Sequence, residues 1–169
     1  MKKIAYFLLL ISYCLFFIPS VNAAYVLPYP SYMPGNKMYR ISRVVDQLKK
    51  YWYFGNIAQI KYHLELSDKY LVEAKTLLEY KQYLLGVDAL KRSDVEFQQL
   101  PDFVAKAEKE NKNMKNFISL IIEAATMHIS VLSTLESTVP MQFIWTPEKE
   151  KPTELNLKYI VHSSIEIRK

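Results

Sequence analysis

The stretch 114-MKNFISLIIEAATMHISVLSTL-135 decides the fold class, because Met114, Phe117, Ile121, Ala125, His128, Leu132 and Leu135 keep a seven-residue repeat until Pro140 stops it. Steps of three and four place those side chains on one face of a long α-helix. A helix with one apolar face must bury it against other elements. The same period recurs upstream. Met38, Ile41, Val45, Leu48 and Trp52 mark an amphipathic helix over residues 37–54, closed by Gly55 as a stop and Asn56 as the next N-cap.

The helix that follows, from Ile57 to about Tyr80 or Leu85, carries two apolar faces. Ile57, Ile60, Leu64, Leu71, Ala74 and Leu78 form one, and Tyr62, Leu66, Tyr70 and Leu77 form the other. Two faces imply neighbours on two sides. Val87, Leu90, Phe97 and Leu100 continue the spacing, and Pro101 with Asp102 suits the first turn of a short helix ending near Lys109. Residues 108–113 are polar and read as a loop. These elements predict an all-α domain, a bundle of about four long helices with Pro/aromatic extended straps.

The straps lie at residues 25–36, where Pro28, Pro30 and Pro34 alternate with Tyr25, Tyr29 and Tyr32, and at residues 139–152, which contain Phe143 and Trp145 before a charged linker. Proline fixes its own φ and biases its predecessor away from helix. Residues 153–169 read as a final helical segment, although Leu155, Leu157 and Tyr159 alternate enough to permit a strand.

Ahead of all this, Lys2 and Lys3 precede an apolar run over residues 4–18, then Pro19, Ser20 and Val21-Asn22-Ala23. That order of charge, apolar run and small residues predicts a cleavable signal peptide over residues 1–23, leaving 24–169 as a single exported domain in a periplasmic, cell-surface or extracellular setting. Cys14, the single cysteine, would leave with the signal, so the mature chain would rest on core burial without disulfides. Without Lys2 and Lys3 the chain keeps 20 basic side chains against 17 acidic ones, spread along its length. With no basic block, nucleic acid is not an expected partner.

Two stretches resemble a known group. Leu27-Pro28-Tyr29-Pro30, then Pro34 and Tyr39-Arg40, form the first; Leu66-Ser67-Asp68-Lys69, Leu71, Glu73-Ala74 and Leu77-Leu78-Glu79 form the second. Together they resemble an uncharacterised family of exported bacterial helical domains, a domain of unknown function, across residues 25–94. The resemblance implies secretion and helices and carries no activity. Tyr83, Gly86 and Ala89 also echo part of a tetratricopeptide hairpin, which predicts a tight helix turn near residues 79–86.

No catalytic, cofactor or metal site is legible. Glu-x-x-His, the ligand pattern of di-iron bundles, does not occur, and His162 with Glu166 reads as a surface pair. Met114 and His128 share a face but stand about 21 Å apart along a helix, too far to ligate one haem iron. His128 reads as a core histidine bonded across the bundle, and His63 likewise. There is no Gly-x-Ser-x-Gly or Ser-x-x-Lys motif, and three glycines form no phosphate cradle. Glu65, Asp68 and Glu73 alternate with Lys61, Lys69 and Lys75 in the manner of a solvated face.

The remaining signal is aromatic. Tyr25, Tyr29, Pro30, Tyr32 and Trp52 form a candidate interaction surface for a protein, a peptide or an envelope surface. Lys49 and Lys50 beside this belt admit contact with an anionic lipid surface, at a charge density low for that purpose. The expected role is therefore non-enzymatic binding or structure. Its competitor is a small-ligand or metal carrier with a cavity between helices near His63 and His128. As internal structure, the strap is expected to dock Tyr29 and Pro30 near Trp52, covering an apolar patch.

Overall fold

The computed structural model describes residues 25–149 and 151–169. The signal peptide expected over residues 1–23 lies outside them. In chain order the elements are α1 (Lys37–Lys49), α2 (Asn56–Glu79), α3 (Tyr83–Gln98), α4 (Leu100–Lys109), α5 (Lys115–Thr138), β1 (Gln142–Trp145), β2 (Thr153–Asn156) and α6 (Leu157–Glu166). The architecture is an all-α bundle carrying one small antiparallel hairpin.

α2 is the central rod, and its two apolar faces serve two cores. Leu71, Ala74, Leu77 and Leu78 pack with Val87 and Leu90 of α3, Leu132 and Leu135 of α5, and Leu157, Val161 and Ile165 of α6. Nearer its start, Ile60 and Leu64 meet Phe97, Leu100, Ala107, Met114 and Ala124. The α2–α3 turn is tight for a steric reason: a Cβ on Gly86 would stand 2.8 Å from the Leu78 side chain, so only glycine permits this approach. Lys81, at φ 61°, turns the chain between the two helices. α4 spans the predicted range, with proline in its first turn and Asp102 there to complement the helix dipole.

α5 is long and apolar enough to span a membrane by composition, at a mean hydropathy of 1.6. Its inner face nevertheless holds Ala124, His128, Leu132 and Leu135 against the bundle. Its outer face mixes the exposed Ile118, Leu120 and Ile122 with serines and threonines, of which Thr126 and Thr134 donate to their own helix carbonyls at Ile122 and Ser130.

Three expectations are corrected. Residues 139–152 are not a simple strap: Phe143 and Ile144 lie in β1, paired with Leu155 and Glu154 of β2. The run Gln142–Trp145, rich in β-branched and aromatic residues, suits a pleated edge, and Phe143 turns inward so that its ring centre lies 4.9 Å from that of Tyr83, the planes tilted by 56°. Residues 153–169 are strand and then helix, with α6 packed on α5 and α3. Asn56 is no cap. It is the first helical residue and donates to Glu110, while Gly55, at φ 85°, takes the cap position.

A fourth correction bears on function. α1 docks by its polar face. The Tyr39 hydroxyl donates to Glu73 (2.7 Å), Lys69 donates to Ser42 (3.0 Å) and pairs with Asp46, and the Tyr62 hydroxyl donates to the Asp46 carbonyl (3.0 Å). Met38, Ile41, Val45 and Leu48, read above as a core-facing stripe, are all exposed. Long side chains bridge the interface, because α2 opposite α1 offers Glu73, Lys69 and the tyrosine tips rather than an apolar groove.

Candidate functional site

Asp68 is the hub of the interior. On the first apolar face of α2 it fills the rung between Leu64 and Leu71, four residues from one and three from the other, and so points inward. Its Oδ1 lies 2.7 Å from His128 Nε2, and its Oδ2 accepts from the Tyr25 hydroxyl at 2.5 Å. Arg168 Nε donates to His128 Nδ1 at 3.0 Å. A nitrogen that accepts from a guanidinium carries no proton, so His128 is the neutral tautomer with its hydrogen on Nε2, donated to Asp68. Arg168 also donates to Asp94 Oδ1 (2.6 Å), to the Ser93 hydroxyl (2.8 Å) and to the Ser164 carbonyl (2.8 Å). Ser67 and Ser93 exchange hydroxyl-to-carbonyl bonds across α2 and α3. Thus one network ties the strap, α2, α3, α5 and α6 together.

Electrostatics agree with the tautomer. Burial lowers the His128 pKa against the opposing pull of the Asp68 hydrogen bond, with Arg168 also lowering it and the Asp68 and Asp94 charges raising it. Burial raises the Tyr25 pKa, reinforced by Asp68, and holds the phenol as a donor. Arg168 is pulled down by burial and up by Asp94, and remains a cation.

A pH dependence follows. His128 stays neutral when folded, whereas the unfolded chain takes up a proton below about pH 6.5. Its contribution to stability is therefore present above that pH and lost as pH falls through it. Glu73 acts in the opposite sense from its ordinary range upward, because burial raises its pKa. Thermal melts of the parent across this range should show a falling midpoint toward acid, with a shallower slope in His128→Asn. Parallel slopes would remove His128 as the cause.

A second network lies between α1, α2 and α3. Glu73 fills the rung between Tyr70 and Leu77 on the other face of α2, accepting from Tyr39 and from Arg92 (2.9 Å). Arg92 lies 4.9 Å from the centre of the Tyr70 ring and Arg43 lies 5.7 Å from it. Asp68 and Glu73 are thus buried, and the reading of both as part of a solvated face is corrected. The sequence signal was available: each carboxylate occupies the missing rung of an apolar face. Arg168, Asp94 and Ser93 carried no such mark, because their partners lie on distant segments.

His63 is also buried. It bonds Glu96 at 2.6 Å and stacks on Phe103, in a network separate from that of His128. His162 is exposed, between Glu136 and Glu166. Among the described residues no three His, Cys, Asp or Glu side chains converge on a metal position.

Asp68 and His128 have the geometry of the orienting half of a nucleophilic triad. The ring nitrogen that would face a nucleophile is occupied by Arg168, however, and His128 is 0% exposed. As arranged, this network binds segments of its own chain.

The aromatic candidates separate. Tyr25 is half-buried on Asp68, while Leu27 and Met33 of the strap pack on the larger core and Pro30 is half-buried. Tyr29 is 93% exposed and Trp52 71% exposed, so the expected docking of Tyr29 near Trp52 does not occur. Tyr32, Tyr51 and Phe54 are exposed as well. Proline spacing in the strap presents Tyr25 and Leu27 inward and leaves Tyr29 outside.

Fold and interior together define a small helical-bundle domain whose buried ionisable groups are spent on one another. Residues 31–142 match the family described as "Domain of unknown function (DUF5667)", and the chain belongs to that family. The matched span holds Asp68, Ser93, Asp94 and His128, while Tyr25 and Arg168 lie outside it. No curated protein and no solved structure matches the chain.

Proposed function

We propose that this chain is an exported, non-enzymatic binding module of the bacterial envelope or exterior. The observation that carries this reading is the outward apolar face of α1, continued by Tyr51, Trp52 and Phe54. Soluble monomers rarely leave contiguous apolar surface of this kind uncovered, and such surface marks interaction sites. The carrier alternative finds less support, since His63 and His128 sit in different networks and both nitrogens of His128 are already bonded.

Expression with the native leader, followed by intact mass and envelope sedimentation, tests the proposal. The mature chain should begin at Ala24 and sediment with purified envelopes, and Ile41→Ser/Leu48→Ser/Trp52→Ser should stay in the supernatant. A product still carrying Lys2 overturns cleavage of the leader, and equal sedimentation of the two chains overturns the assignment of the binding surface.

A further inference from the structure

We propose that α1 and the turn after it form an interfacial anchor that lies flat on an anionic lipid surface; this rests on the binding-module reading above and names its partner. Trp52, Tyr51 and Phe54 stand exposed at one end of the stripe formed by Met38, Ile41, Val45 and Leu48. At 1.5 Å per residue, α1 presents a ridge about 20 Å long. The polar side of the helix is where the bundle attaches, through Tyr39, Ser42 and Asp46. The helix is therefore sandwiched between its own domain and whatever covers the ridge.

Charge selects the occupant. Residues 25–64 contain Lys37, Arg40, Arg43, Lys49, Lys50 and Lys61, and the sole acid among them is Asp46. Asp46 is buried and paired with Lys69, and the exposed Glu65 of α2 lies 3.6 Å from Lys49 and accepts from the Tyr53 hydroxyl, which leaves Lys37, Arg40 and Lys50 as exposed cations outside any ion pair among the described residues. The even spread of charge over the whole chain conceals this local excess. Lys37 and Arg40 flank the stripe near its start, and Lys50 is exposed where the aromatic side chains begin. A helix with cations beside a Trp, Phe and Leu face is the pattern that binds in the plane of an anionic interface. Tryptophan and tyrosine favour the same depth, with an apolar body and a polar edge.

A second copy fits poorly. In a two-fold contact the same patch meets itself, which would set Lys37, Arg40 and Lys50 against their own copies, while the exposed acid beside the patch, Glu65, is already engaged by Lys49 and Tyr53. A convex ridge crowned by aromatic rings suits a flat, deformable surface better than the groove of another protein.

The mature full-length chain is mixed with vesicles of phosphatidylglycerol and phosphatidylethanolamine and, separately, with vesicles of phosphatidylcholine alone. Binding is read by co-sedimentation and by Trp fluorescence in a Trp145→Phe background. Expected is partition to the anionic vesicles with a blue-shifted Trp52 signal, little partition to phosphatidylcholine, and weakening by salt. Ile41→Ser/Leu48→Ser/Trp52→Ser should bind roughly 100-fold more weakly. Each of Lys37→Gln, Arg40→Gln and Lys50→Gln should cost about fivefold.

These side chains are exposed, so an unchanged melting midpoint separates loss of binding from loss of fold. No partition to anionic vesicles, or equal partition by the triple variant, overturns the proposal. An α1-dependent dimer in solution overturns it in favour of a second copy. Envelope sedimentation that depends on α1 without vesicle binding overturns the lipid partner while leaving the binding module standing; loss of both removes both.

Discussion

Arg168→Ala will melt far below the parent, by about 10–20 °C, corresponding to roughly 3–5 kcal/mol for breaking a buried ion pair in a domain of this size. The guanidinium is fully buried and satisfies Asp94, Ser93, the Ser164 carbonyl and His128 together. Its removal leaves Asp94 without its cation and His128 Nδ1 without its donor. The stacking of the guanidinium 5.1 Å from the Phe97 ring centre is lost as well. Arg168→Lys should recover only part of the loss, because an ammonium is a compact donor and cannot reach four acceptors in a planar fork. Urea titration monitored by circular dichroism gives the free energies directly. A midpoint within a degree or two of the parent would show that the network is dispensable, and that α6 is held by Leu157, Val161 and Ile165 alone.

The second large effect concerns the strap. A chain lacking residues 25–34 should lose about 4 kcal/mol, since a hydrogen bond to a buried carboxylate and two partly buried apolar side chains disappear together. Point variants apportion the loss. Tyr25→Phe removes the phenolic donor from Asp68 and should cost about 1.5–3 kcal/mol, the range for a hydrogen bond to a charged group. Tyr29→Ala should fall within about 0.5 kcal/mol of the parent, as substitutions on open surface do. The contrast between two tyrosines four residues apart is the informative part. Equal effects would mean that the strap docks differently, and a neutral Tyr25→Phe would separate the strap from the Asp68 hub.

The two networks also explain why the interior tolerates so many ionisable groups. Each buried carboxylate has an opposite partner or hydrogen-bond donors: Asp68 has Tyr25 and His128, Glu73 has Tyr39 and Arg92, and Asp46 has Lys69. Buried polar groups of this kind add little net stability over an apolar core. They do require one arrangement of segments, because an alternative packing would strand a charge in a medium that penalises it.

Local periodicity was enough to identify the helices between residues 56 and 138, though not where α2 ends, since a stripe repeating every three or four residues has no other compact solution. It likewise determined the tight helix turn near residues 79–86, the start of α4 at Leu100–Pro101 and the core place of His128, each of which depends on neighbours within a turn or two. Only the tertiary structure decided which side of α1 faces inward. Periodicity identifies an apolar face without saying what is available to cover it, and Glu73, Lys69 and Tyr62 on α2 offered hydrogen bonds where an apolar groove was expected. The pairing of β1 with β2, the choice of Tyr25 over Tyr29, and the convergence of Asp68, Asp94, His128 and Arg168 were equally hidden. Their partners lie 8 to 74 residues apart in the chain, and no local pattern encodes a contact whose energy exists only once the segments have met.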